Sequence, residues 1–129
     1  MQHFDRLFLA VVGLIFLGLG SFNLFFPVMG MAGFEIQIAT VSALNEIRAN
    51  YGGMHFAMGA LFLAGAFIAA LRIPTLLVVA LFTGGLVLGR SLSLAIDGLP
   101  NLLVCALFAL EAVGCIVALV LFKRAWRST

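Results

Sequence analysis

The sequence predicts an all-α fold, a bundle of four transmembrane helices with both chain ends on the cytoplasmic side. Three observations predict it. Of the 129 residues 64% are hydrophobic and only 9% charged, where a soluble domain carries about a quarter charged residues. The mean hydropathy is +1.25. Apolar runs of membrane-spanning length alternate with short segments that hold Pro, Gly, Asp and Asn, the residues that end helices and make turns. A chain of this length has room for one such domain, here residues 1–129.

Helix 1 is expected from about Asp5 to Phe26, with Pro27 and then Gly30 and Gly33 ending it. Its apolar run, Leu7 to Phe26, suits a span and exceeds the roughly 7–15 residues of a signal core, so it is read as a retained helix. The segment VMGMAGFEIQIATV follows, and its Phe34, Ile36, Ile38 and Val41 suggest a short strand or a flap. Helix 2 is expected from Ser42, read as its N-cap, to about Leu71. It is longer than a bilayer needs, so its first turns project beyond the lipid core or tilt. Arg72–Pro74 is read as a tight turn, helix 3 as about Thr75 to Ile96, Asp97–Asn101 as the next turn, and helix 4 as about Leu102 to Phe122.

Charge sets the expected orientation. Arg6, Arg72, Lys123, Arg124 and Arg127 fall on one side of an even number of spans, and the positive-inside rule makes that side cytoplasmic. The protein is thus expected in the cell inner membrane as a multi-pass, N-in and C-in chain. Glu35 and Asp97 fall on the other side. The 14 glycines predict close backbone packing between helices. Helices 1 and 3 share a loose pattern, GLGSFNLFFP against LGRSLSLAIDGLP, compatible with duplication of a two-helix unit. Cys105 and Cys115 are about 15 Å apart on one helix, too far for a disulfide, and are read as small packing residues.

Polar residues concentrate in the outer half of every expected helix. Helix 2 opens with Glu46 and Asn50 one turn apart, and Arg48, Tyr51 and His55 roughly opposite. Helix 3 ends with Arg90, Ser93 and Asp97, helix 1 with Ser21 and Asn23, and Glu111 lies about 15 Å into helix 4. An ionised group at mid-membrane costs about 3 kcal/mol. Glu111 is therefore expected to pair with Arg90 on the neighbouring helix, with Arg48 as the second candidate. Some of these residues have plainer readings. Asp97 caps a turn, Thr83 bonds its own helix, Asn23 and Ser93 hold helices together, and Glu46 and Arg48 form a wet helix end. His55, Arg90 and Glu111 lie inside the spans and are the candidate catalytic groups. Glu46, Asn50, Tyr51, His55, Arg90 and Glu111 are the candidate ligand-binding set of one buried polar site.

Several chemistries are argued against. Lys123 is the one lysine and lies at the end of helix 4, so no mid-membrane Schiff base is expected. His55 is the single mid-span histidine, and three positions before it stands Gly52. Bis-histidine haem and a carboxylate di-metal bundle are therefore not expected, and no metal or cofactor is assigned. No phosphate loop, nucleophile elbow or Cys-x-x-Cys is present. No basic face with interleaved aromatics exists, so nucleic acid is not an expected partner.

The stretch NEIRANYGGMHFAMGALFL (Asn45–Leu63), then GGLVLGRSLSLAIDGLPN (Gly84–Asn101) and the acid of ALEAVG (Ala109–Gly114) resemble a family of small bacterial four-helix membrane proteins catalogued as a domain of unknown function. The resemblance covers nearly the whole chain and implies a four-helix inner-membrane protein. It implies no reaction. The residues themselves suggest binding of a small apolar or lipid-like molecule, or an accessory subunit in a homo-oligomer or larger complex. They also suit an acid/base enzyme (isomerase, hydratase or cyclase type) on a lipid or isoprenoid, or a small oligomeric transporter. The lipid bilayer is the expected surrounding in each case.

Overall fold

The computed structural model describes residues 2–128. It is all-α, with no strand among the described residues. The helices are α1 (Gln2–Phe25), α2 (Pro27–Ala32), α3 (Val41–Ile47), α4 (Met54–Phe67), α5 (Arg72–Ile96) and α6 (Leu102–Trp126). A π-helical segment, Arg48–Gly53, joins α3 to α4 without a break, and a 3₁₀ turn, Ala69–Leu71, precedes α5. Three stretches are long and apolar enough to cross a membrane: His3–Phe25, Ala69–Ile96 and Leu102–Trp126. The chain divides into two compact units, Met1–Ala69 and Ala70–Thr129.

In the first unit α1 packs antiparallel on α4 and the π segment. Glycines at a seven-residue spacing, Gly13 and Gly20 on α1 and Gly52 and Gly59 on the partner, make this close. A Cβ on Gly59 would lie 2.5 Å from Leu17 N and 2.9 Å from Gly13 O, and one on Gly20 would lie 2.7 Å from Phe56 Cα. Backbone therefore meets backbone at these positions. Leu9, Phe16 and Phe62 are buried here.

The segment after α1 forms neither strand nor flap. α1 ends at Phe25, just ahead of Pro27 as expected, and Pro27 then starts α2, because proline suits the first helical turn. Gly30 lies inside α2, where its missing side chain leaves room for the Asn23 amide. Glu35 N–H bonds Ala32 O and Ile36 N–H bonds Met31 O, with Glu35 at φ 59°. This is a Schellman ending with glutamate in the left-handed position where glycine is usual. The N-cap of α3 is Thr40, not Ser42: its Oγ1 accepts from Ala43 N–H at 3.1 Å.

In the second unit α5 and α6 pack side by side as an antiparallel hairpin. The α5 start also differs from the expected turn. Ile68 is extended, the 3₁₀ turn follows, and Arg72 opens α5 as a buried residue. Pro74 stands in the first turn, where its missing N–H costs no helical bond. Thr75, Leu76, Val79 and Thr83 are buried, and Thr83 bonds Val79 O at 2.7 Å on its own helix. Asp97 and Gly98 end α5, with Gly98 at φ 96°. Asn101 caps α6 by accepting from Val104 N–H at 3.1 Å. α6 runs on to Trp126, so Lys123 and Arg124 lie in its last turn, where cations meet the negative end of the helix dipole. Both cysteines are free thiols.

Candidate functional site

The six candidate residues fall into two clusters, one in each unit. The first is set by the π segment RANYGG. A π turn holds one residue more than an α turn and rotates the side chains beyond it. Arg48 lies at its start and donates from Nε to Leu24 O at 3.1 Å. Leu24 is next to the last residue of α1, so Arg48 satisfies a carbonyl left open at that helix end. Arg48 is thus tied to α1, a role its helix-2 position does not disclose.

Further along, Asn50 Nδ2 donates to Glu46 Oε2 at 2.7 Å and to Glu46 O at 3.2 Å. His55 Nδ1 lies 3.0 Å from Asn50 O. A carbonyl only accepts, so Nδ1 is the donor in this contact. The imidazole is clasped between two rings, Tyr51 at 6.0 Å and 9°, and Phe16 at 5.4 Å and 16°. The cluster is more open than a buried site: Glu46, Arg48, Asn50 and Tyr51 are exposed and only His55 is half-buried.

The second cluster is tighter. Arg90 Nε donates to Glu111 Oε2 at 2.6 Å and Arg90 Nη2 to Glu111 Oε1 at 2.9 Å. This two-pronged pair is the one the sequence predicts. It joins α5 to α6, and the side chains are only 23% and 15% exposed. Bidentate guanidinium–carboxylate pairing fixes both groups in one plane and is among the strongest neutral-sum contacts available.

Beside the pair lies an open cleft of about 420 Å³ between α5 and α6, within the range of roughly 300–1,000 Å³ typical of small-molecule sites. Arg90 and Ser93 are polar on one wall, while Leu94, Leu99, Val104 and Phe108 are apolar. Ser93 donates to Asp97 Oδ2 at 2.9 Å, and Cys105 Sγ contacts Pro100 O at 3.6 Å. Sequence reasoning missed Leu94, Leu99, Val104 and Phe108, because apolar residues on apolar helices carry no signal until the helices are paired. Asn23, expected to join helices, instead donates to Leu19 O on α1 at 2.9 Å. Among the described residues no group of three or more His, Cys, Asp or Glu could hold a metal ion.

The chain belongs to the family described as a domain of unknown function (DUF4345), which matches residues 4–122. Neither the curated proteins nor the solved structures give a match to it.

Proposed function

We propose that this member of the DUF4345 family is an integral membrane protein that binds a small lipid-like molecule in the α5–α6 cleft. One observation carries the reading: an open, mostly apolar cleft has Arg90 in its wall, and Arg90 is charge-neutralised by its pair with Glu111. Apolar walls take a hydrocarbon body, and a few fixed polar groups orient a head. An ion pair on two membrane-length helices is costly to insert, and a role in ligand recognition accounts for placing it at a cleft.

Four spans are proposed, in one domain. Three are the membrane-length stretches. The fourth is α4, whose 14 residues join the six of the π segment to reach about the 20 that a bilayer needs. Arg6, Lys123, Arg124 and Arg127 support cytoplasmic ends in an inner membrane. On that topology the cleft opens on the outer side, near Leu99 and Pro100. The partners are then the bilayer and the apolar ligand.

The test is native mass spectrometry of protein purified from its own membrane. Wild type is expected to carry a small apolar molecule that Val104→Trp, which fills the cleft, loses. Bare protein in both samples, with the variant folded, would turn the reading toward an accessory subunit or a homo-oligomer. A second reading, an acid/base enzyme on a lipid or isoprenoid, is favoured by the His55 imidazole held at 3.0 Å from Asn50 O. It predicts that wild type, but not His55→Phe, changes the mass of the co-purified molecule during incubation.

A further inference from the structure

We infer that the cleft selects an uncharged lipid, one with a hydroxyl or carbonyl head, and rejects anionic lipids; this rests on the cleft being the ligand site. The charges around it decide the sign. Arg90 is the one cation lining the cleft, and both oxygens of Glu111 already hold it. Asp97 accepts from Ser93 at 2.9 Å. Two carboxylates, Glu111 and Asp97, are thus bonded to residues that line the cleft, against one guanidinium. A fatty-acid carboxylate or a phosphate entering at Arg90 would sit against Glu111, and like charges sharing one site disfavour the ionised forms. To take Arg90 for itself the anion would have to displace a bidentate partner and leave the largely buried Glu111 unpaired.

An uncharged head meets no such opposition. A hydroxyl or ester carbonyl accepts from a polarised guanidinium N–H or from a hydroxyl while the ion pair stays closed. The Ser93 oxygen, whose proton goes to Asp97, keeps acceptor capacity for a hydroxyl donor. The acyl chain then lies along Leu94, Val104 and Phe108. The pair therefore acts as a selectivity element: it supplies polarity without supplying net charge.

The experiment compares monoolein and oleate, which share one acyl chain, by native mass spectrometry of the detergent-purified full chain. Wild type is expected to hold monoolein about tenfold more tightly than oleate, the equivalent of roughly one hydrogen bond. Glu111→Gln frees the Arg90 charge and is expected to raise oleate binding above that of wild type. The double variant Arg90→Gln, Glu111→Gln removes both charges and is expected to keep monoolein and gain no oleate. Wild type that binds oleate as well as monoolein overturns the inference, as does a folded Glu111→Gln with no gain in oleate. Val104→Trp separates the two readings. If it abolishes binding of both lipids while oleate equals monoolein, the cleft stands and the charge selection falls. If it changes neither, the cleft itself is not the site.

Discussion

Replacing Arg90 by leucine removes both hydrogen bonds to Glu111, at 2.6 and 2.9 Å, and leaves a carboxylate that is 15% exposed. Breaking a buried ion pair costs about 3–5 kcal/mol, because the remaining charge has lost its partner without regaining water. The same charge alone in a spanning helix costs about 3 kcal/mol on insertion scales. Partial exposure of Arg90, 23%, places the expected loss at the lower end, about 3 kcal/mol. The double variant Arg90→Leu, Glu111→Leu leaves no charge behind. Apolar replacement of a buried pair is often neutral or better, so the double is expected to recover most of the loss. Equilibrium unfolding in mixed micelles, followed by far-UV circular dichroism, measures all three proteins. A single variant within about 0.5 kcal/mol of wild type, the usual range for exposed positions, would refute the reasoning. So would a double variant no more stable than the single.

Gly20→Ala is expected to destabilise strongly, by about 2 kcal/mol or more, since its Cβ would press on the Phe56 backbone. Gly18→Ala, with nothing within 4 Å, is expected to be neutral or to stabilise by up to about 1 kcal/mol, and thermal unfolding of the two compares them directly. Thr40→Ala is expected to cost about 1 kcal/mol through the lost cap, while Ser42→Ala leaves stability unchanged; chemical unfolding distinguishes the two positions as the cap. In a Cys115→Ala background, Cys105 lines the cleft, so bound monoolein is expected to slow its alkylation by N-ethylmaleimide, whereas unchanged labelling would place the lipid elsewhere.

Much of the helical architecture was legible because its signals are local. Composition and run length mark apolar helices, and helix 3 and helix 4 begin or end where Ile96, Asp97 and Leu102 predict. The Arg90–Glu111 pair was legible too, since a short turn makes its two helices neighbours and an ion in an apolar helix demands a partner. Local signals misled where one residue type serves two roles. Pro74 reads as part of a turn but stands in the first turn of α5, and proline is compatible with both.

The rest depended on which helix lies against which. No sequence pattern separates Gly20, whose absent side chain admits the Phe56 backbone, from Gly18, which faces open space. Arg48 reads as a helix-2 charge until α1 brings the Leu24 carbonyl to it. The π turn spans RANYGG and carries Tyr51, with His55 two residues beyond it. The cleft is the clearest case: Leu94, Val104 and Phe108 are unremarkable in the chain and become a binding wall only when α5 and α6 pair. By itself the sequence determined apolar helices and a need for charge pairing, because hydropathy and desolvation act on each residue where it stands. Tertiary structure decided the close contacts, the caps and the cleft, because these belong to pairs of helices and have no value on either one alone.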